Sequence, residues 1–190
     1  IQFINLTQAR KNKQMTGVLS DQLQGAVFKT LKEKSQTIIF QNRRGYAPYI
    51  SCKDCAWIPY CLHCDVSLTF HKFSEQLKCH YCGFTTPLPK ECPSCHSIVL
   101  EMKGSGTERV EDDLQAIFQE ARFLRLDYDT AKSKYAHEKI IHQFENDEAD
   151  ILIGTQMVTK GLDFKNVHLV GVLNADSLLY YPDFRATERA

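Results

Sequence analysis

Cys52-Lys53-Asp54-Cys55, Cys61-Leu62-His63-Cys64, Cys79-His80-Tyr81-Cys82 and Cys92-Pro93-Ser94-Cys95 contain all eight cysteines of the chain, as four Cys-x-x-Cys pairs within residues 52–95. A Cys-x-x-Cys turn presents two thiolates to one side, half of a tetrahedral zinc site. Four halves make two four-cysteine sites. Disulfides require an oxidising compartment, and the N-terminus Ile1-Gln2-Phe3-Ile4-Asn5-Leu6 has no charged-then-apolar leader to suggest one. One such pair could serve redox chemistry; four together point to structural metal. With every position taken by cysteine, neither ion would keep an open position for a catalytic water.

The spacers between the pairs are 5, 14 and 9 residues. The 14-residue separation of the middle pairs is close to a zinc-ribbon spacing. It favours a nested arrangement, with Cys52, Cys55, Cys92 and Cys95 on one ion and Cys61, Cys64, Cys79 and Cys82 on the other. Nesting also brings residues 52 and 95 together, as a module inserted in a host domain requires. Sequential pairing needs only the 5-residue reach and remains sterically open. The stretch has few aliphatics (Ile58, Leu62, Val66, Leu68, Leu77 and Leu88), too few to fold a unit of about 40 residues unaided. A structural zinc, at an apparent ~10–16 kcal/mol, would decide its fold. His63, His71, His80 and His96 are surplus as ligands and read as surface residues or as donors to the metal's outer sphere. Trp57, Tyr60, Phe70, Phe73, Tyr81 and Phe84 read mainly as a miniature core, with a stacking or docking platform as the alternative.

Outward from the cysteines the chain reads as α/β. Ser20 caps a helix over about 21–34, Thr37–Phe40 is a buried strand, and Gly104-Ser105-Gly106-Thr107 leads into a helix near 108–120. Phe123–Leu126 is a strand, and His137, Ile140, Ile141 and Phe144 mark a helix near 134–146. Asp150–Ile153 and Val167–Leu173 read as strands buried on both faces, and Ile1–Leu6 as a further strand. Strands alternating with helices imply a parallel sheet with helical crossovers, with ligands at the carboxyl ends of its strands. Three stretches fall there. They are the Arg43-Arg44 pair, suited to phosphate, Thr155-Gln156, where Thr155 could cap a short helix, and Lys160-Gly161-Leu162-Asp163.

The hydrophobic content of 43% excludes a wholly disordered chain, and no apolar run approaches the ~18 residues of a membrane span. The zero net charge is unevenly spread. Residues 1–51 carry 8 Lys/Arg against 2 Asp/Glu, and residues 96–190 carry 11 against 17. The basic start suits either an anionic partner or a surface complementary to the acidic end within one domain. Two zinc–tetrathiolate centres would leave the insert about −4 by ligand counting, a poor nonspecific phosphate clamp and better suited to a wedge or docking surface. The opening at Ile1 and the helix-like close at Phe184–Ala190 suggest a piece of a longer protein.

Taken together, Ile39-Phe40-Gln41-Asn42-Arg43-Arg44-Gly45-Tyr46-Ala47-Pro48, the four cysteine pairs, Gly106-Thr107-Glu108, Asp127-Tyr128-Asp129-Thr130, Ile151 through Gly161 and Asp183 through Arg189 resemble the PriA family of replication-restart (primosomal) DNA helicases, also called primosomal protein N′. The resemblance is strong over 38–190 and loose over 1–37. It implies the second RecA-like lobe of a superfamily 2 helicase, residues 1–51 and 96–190, interrupted by a cysteine-rich double-zinc module at 52–95, and it supports the nested pairing. It implies ATP-driven 3′→5′ movement on single-stranded and forked DNA. It also implies a zinc module for strand separation and partner docking, primosomal and single-strand-binding proteins as partners, and a cytoplasmic, nucleoid-associated location with no membrane role. By likeness Thr155 and Gln156 meet the DNA backbone, and Lys160, Gly161 and Asp163 couple to nucleotide.

The sequence contains no phosphate loop and no Asp-Glu pair for Mg2+, and it stops before the family's arginine-bearing motif VI. Hydrolysis by these residues alone is therefore not expected, and ATP and Mg2+ would belong to the full-length protein. A stand-alone zinc-dependent module binding nucleic acid or protein is the alternative function. A metal-handling or redox protein is a third.

Overall fold

The computed structural model describes residues 1–41, 49–131, 133–158 and 164–176. Among these residues, in chain order, the elements are α1 (Leu6–Lys11), β1 (Met15–Thr16), β2 (Leu19–Ser20), α2 (Asp21–Lys32), β3 (Gln36–Gln41), β4 (Tyr49–Cys52), β5 (Thr69–His71), β6 (Gln76–Lys78), β7 (Thr85–Pro87), β8 (Leu100–Lys103), α3 (Thr107–Ile117), β9 (Phe123–Leu126), α4 (Lys134–Glu145), β10 (Ile151–Gly154), a 3-10 turn at Gln156–Val158, and β11 (Val167–Leu173). The chain divides into two compact units, Ile1–Asn42 with Val110–Ala190, and Arg43–Arg109.

The first unit is built on a four-stranded, all-parallel sheet in the order β11-β3-β10-β9. Side-chain alternation assigns its two faces. Ile38, Phe40 and Leu152 join Ile141 and Phe144 of α4, whereas Ile39, Ile151 and Ile153 join Val27 of α2 and Val110 and Leu114 of α3. With helices on both faces, every residue of β3 and β10 is buried. Ser20 caps α2 as its sequence suggests, its Oγ accepting from Leu23 N, and Ser133 does the same for α4 through Ala136 N. Gly171 of β11 is required by close packing. A Cβ there would stand 2.9 Å from Ile39 Cδ1 and 3.0 Å from Leu23 Cδ1.

Two sequence expectations are corrected. Ile1–Leu6 is not a strand. Asn5 Oδ1 accepts from Gln8 N and starts α1, whose last turn carries Arg10 and Lys11 toward the negative helix end. β11 is not buried on both faces: Leu169 and Leu173 pack toward α2, but Val170 and Val172 on the other face are 58% and 50% exposed. The cause is position, since β11 lies at one edge of the described sheet and α4 lies over β9 at the other.

In the second unit, β4 and β8 pair antiparallel from Tyr49↔Lys103 to Cys52↔Leu100, so the chain leaves and re-enters through one two-stranded stalk. Beyond it β5, β6 and β7 form a short antiparallel meander. The core is small: Ile50, Cys61, Leu68, Phe70, Leu77 and Cys79, with Val66, Phe84, Leu88 and Leu100 against it. Among the described residues no helix is long and apolar enough to cross a membrane.

Candidate metal centres

The four cysteine pairs share one backbone device. The N–H of each first cysteine donates to the carbonyl five residues on: Cys52 to Trp57, Cys61 to Val66, Cys79 to Phe84 and Cys92 to Ser97, at 2.8–2.9 Å. In three of them the residue four after the first cysteine turns left-handed and donates back to that cysteine's carbonyl. These residues are Ala56 (φ 58°), Gly83 (φ 79°) and His96 (φ 60°). The bend leaves both sulfurs on one side, with amides aimed at them. His63 N donates to Cys61 Sγ and Tyr81 N to Cys79 Sγ, each at 3.4 Å.

The fold brings the pairs together in nested order. Cys52, Cys55, Cys92 and Cys95 converge at the end of the β4–β8 stalk, and Cys61, Cys64, Cys79 and Cys82 converge around the meander, with the sulfurs of each quartet all within 4.8 Å. Cys52–Cys95 and Cys55–Cys92 stand at 3.6 Å and Cys61–Cys82 at 3.5 Å. A disulfide needs ~2.05 Å. A tetrahedron with ~2.3 Å zinc–sulfur bonds has sulfur–sulfur edges of about 3.8 Å. The quartets therefore fit a tetrahedral cation, and none of the eight cysteines is disulfide-bonded.

Acid–base behaviour supports the same fit. The Cys55 amide, with that of Asp54, lowers the Cys52 thiol to about 7 against the opposing effect of burial. Burial opposes ionisation of Cys79 as well, but the Cys82 and Tyr81 amides outweigh it and bring that thiol to about 7. The neighbouring sulfurs then resist losing a proton. The Cys82 side chain, followed by burial, pushes Cys64 up to about 12, and Cys95 rises to about 12 although the Ser97 amide favours its thiolate. Burial raises Cys61. A divalent cation removes this conflict, because it lets four crowded sulfurs ionise together.

The histidines and aromatics partly depart from expectation. His71 is buried rather than superficial, with Nδ1 2.9 Å from Glu108 Oε1 and Nε2 3.1 Å from His80 Nε2. His96 pairs with Glu91 on the surface, and the His63 ring meets Phe84 edge-on. Of the six aromatics, Phe70 is core and Phe84 packs against it, but Tyr60, Phe73 and Tyr81 are 56%, 100% and 73% exposed. The meander is too small to enclose them all.

At the carboxyl end of β10, Thr155 is buried and Gln156 is exposed. They open a three-residue 3-10 turn rather than an α-helix, with Val158 N donating to Thr155 O at 3.0 Å. Gly154 permits this turn. A Cβ on it would lie 2.5 Å from Val158 Cγ2 and 3.1 Å from the Leu126 carbonyl. Next to β10, β9 is followed by Asp127, whose Oδ1 accepts from the Asp129 and Thr130 amides, a strand-end turn that sequence reading did not single out as a site. Arg43, Arg44, Lys160, Gly161 and Asp163 lie outside the described residues.

Comparison with known proteins adds two family matches. Residues 61–87 match the PriA DNA helicase Cys-rich region domain, and residues 98–183 match the helicase conserved C-terminal domain. The replication restart protein PriA of Bacillus subtilis (strain 168) is 46% identical over 172 residues, covering 90% of this chain and 21% of the relative. The PriA of Chlamydia pneumoniae is 43% identical over 191 residues, 100% of this chain and 26% of the relative. That of Rickettsia conorii (strain Malish 7) is 40% identical over 190 residues, 100% and 29%. The chain thus spans between a fifth and a third of the length of these relatives. A parallel helicase lobe carrying a stalked, eight-cysteine zinc ribbon, matched in both parts and aligned along nearly its whole length with such relatives, belongs to the PriA family.

Proposed function

We propose that the chain is the second motor lobe, with its inserted zinc module at 52–95, of an ATP-dependent DNA helicase that moves 3′→5′, restarts stalled replication forks and assembles the primosome. In this reading Cys52, Cys55, Cys92 and Cys95 hold one structural Zn2+, and Cys61, Cys64, Cys79 and Cys82 hold the other. Zinc supplies a fixed tetrahedral cross-link, and the chain's own amides orient the sulfurs around it. The observation that carries the proposal is the joint one: two closed four-cysteine clusters on a single stalk, in a chain whose other unit is a parallel sheet with helices on both faces.

Exposed Gln156 contacts the DNA backbone, buried Thr155 shapes the turn beneath it, and Arg43 and Arg44 add phosphate contacts. Lys160, Gly161 and Asp163 couple this lobe to nucleotide. The phosphate loop and the carboxylates for Mg2+ come from sequence outside these 190 residues, so this chain alone hydrolyses no ATP. The exposed Tyr60, Phe73 and Tyr81 favour strand separation or docking of primosomal and single-strand-binding proteins by the module. The work is done in the cytoplasm, at the nucleoid.

The test is unwinding by the full-length protein. ATP-dependent opening of duplexes with a 3′ single-stranded tail, and little opening of those with a 5′ tail, is the expected result. DNA binding with no ATP hydrolysis would favour the stand-alone zinc-dependent binding module instead.

A further inference from the structure

Besides the eight sulfurs, the cysteine-rich unit contains a second kind of donor set. His71 ends β5 with its side chain 8% exposed. His80 lies between Cys79 and Cys82 and is half-buried. Their Nε2 atoms stand 3.1 Å apart, the rings inclined at 64° with centroids 5.0 Å apart. His71 is held from behind. Glu108 Oε1 lies 2.9 Å from its Nδ1, and Glu108 Oε2 accepts the Lys72 amide at 3.1 Å, so both carboxylate oxygens are tied. A carboxylate oxygen accepts, so His71 Nδ1 carries the proton. In the neutral ring the Nε2 lone pair then faces His80.

We propose that His71 and His80 chelate a third divalent cation, Zn2+ or another late first-row metal, through their Nε2 atoms, with Glu108 as the residue that orients the His71 ring. Zinc–nitrogen bonds of ~2.0–2.1 Å place two cis nitrogens roughly 2.9–3.4 Å apart, depending on the angle between them. The observed separation falls inside that interval. The carboxylate–histidine–metal arrangement is the usual way a protein sets the tautomer and raises the basicity of a metal-binding imidazole. Imidazole suits zinc, nickel and copper, so the donor type agrees with the spacing. Two neutral imidazoles bring none of the thiolate charge of a cysteine quartet, so this site binds its cation more weakly than the quartets bind theirs.

The experiment counts metal on the whole 190-residue chain, first loaded with two zincs and then dialysed against increasing free Zn2+, with atomic emission as the readout. Wild type is expected to take up a third equivalent. His71→Ala and His80→Ala should each stop at two, and Glu108→Gln should bind the third about 10–100-fold more weakly. Retention of two zincs in each variant shows that the cysteine sites survive the substitution. Saturation of wild type at two equivalents overturns the proposal, leaving the rings an N–H···N hydrogen bond. A third equivalent that persists in both histidine variants overturns it as well. The wild-type count decides the matter even if a variant fails to fold.

Discussion

Asp150 and Arg122 close the amino-terminal ends of β10 and β9 onto each other. The guanidinium reaches the carboxylate through Nη2 at 2.7 Å and Nε at 3.1 Å, and the Arg122 amide donates to the same group at 2.8 Å. The Arg122 side chain, helped by the Arg122 backbone amide, holds the Asp150 carboxyl below its ordinary value, against the effect of burial. The link therefore stabilises the fold above the ordinary aspartate range near pH ~4, and the stabilisation is lost as pH falls through the depressed native value. Arg122 is more than half exposed, so solvent screening leaves about 1 kcal/mol or less. Chemical denaturation of wild type and Asp150→Asn should differ by that amount at neutral pH and converge in acid. Half-buried Glu111 behaves oppositely. Burial raises its carboxyl despite Arg125, so its contribution weakens as pH rises from ~4.

Removing zinc should unfold one unit and spare the other. The core of the cysteine-rich unit is small, whereas the apparent ~10–16 kcal/mol of a structural zinc matches or exceeds the ~5–15 kcal/mol net stability of an ordinary domain. Chelation is expected to abolish amide-exchange protection in β5 to β7 and leave β3 and β10 protected. Replacing all eight cysteines by serine should have the same effect. Collapse of the parallel sheet in either case would show that the two units do not fold independently.

Gly83 tests the shared bend of the cysteine pairs. No atom lies within 4 Å of a Cβ built there, so Gly83→Ala is opposed only by its left-handed backbone, at about 1–2 kcal/mol. The expected result is faster zinc release to a chromogenic chelator from one site of two, since Gly83 belongs to the Cys79–Cys82 bend alone.

Gln36 spans the base of β3, its Nε2 donating to the Phe144 carbonyl at 2.7 Å and to the Ala149 carbonyl at 2.8 Å. Gln36→Leu keeps the bulk but leaves both buried carbonyls without this donor. A loss of roughly 2–4 kcal/mol in urea unfolding is expected. A loss below about 0.5 kcal/mol, on the order of a neutral surface change, would mean that water replaces the amide.

Gly154 and Val158 should be coupled. Gly154→Ala drives a methyl into Val158 and should cost about 1–3 kcal/mol. Val158→Ala in the same chain should return part of it, with an interaction energy on the order of 1 kcal/mol in a double-mutant cycle. Additive losses would put the strain at the Leu126 carbonyl instead.

Legibility followed contact range. The cysteine bends, the Ser20 cap, the α4 stripe and the buried runs of β3 and β10 depend on residues within five positions of one another, and spacing alone reveals such patterns. Those features were available from the bare chain. Which quartets form was left open between two arrangements until β4 paired with β8, joining residues more than forty apart. The exposure of Val170 and Val172 depended on where β11 fell in the sheet, and the burial of His71 on a glutamate thirty-seven positions away. Local chemistry set each building block. Neighbours distant along the chain then settled which faces were covered and which donors met, because burial and chelation depend on distance in space, to which residue spacing is blind.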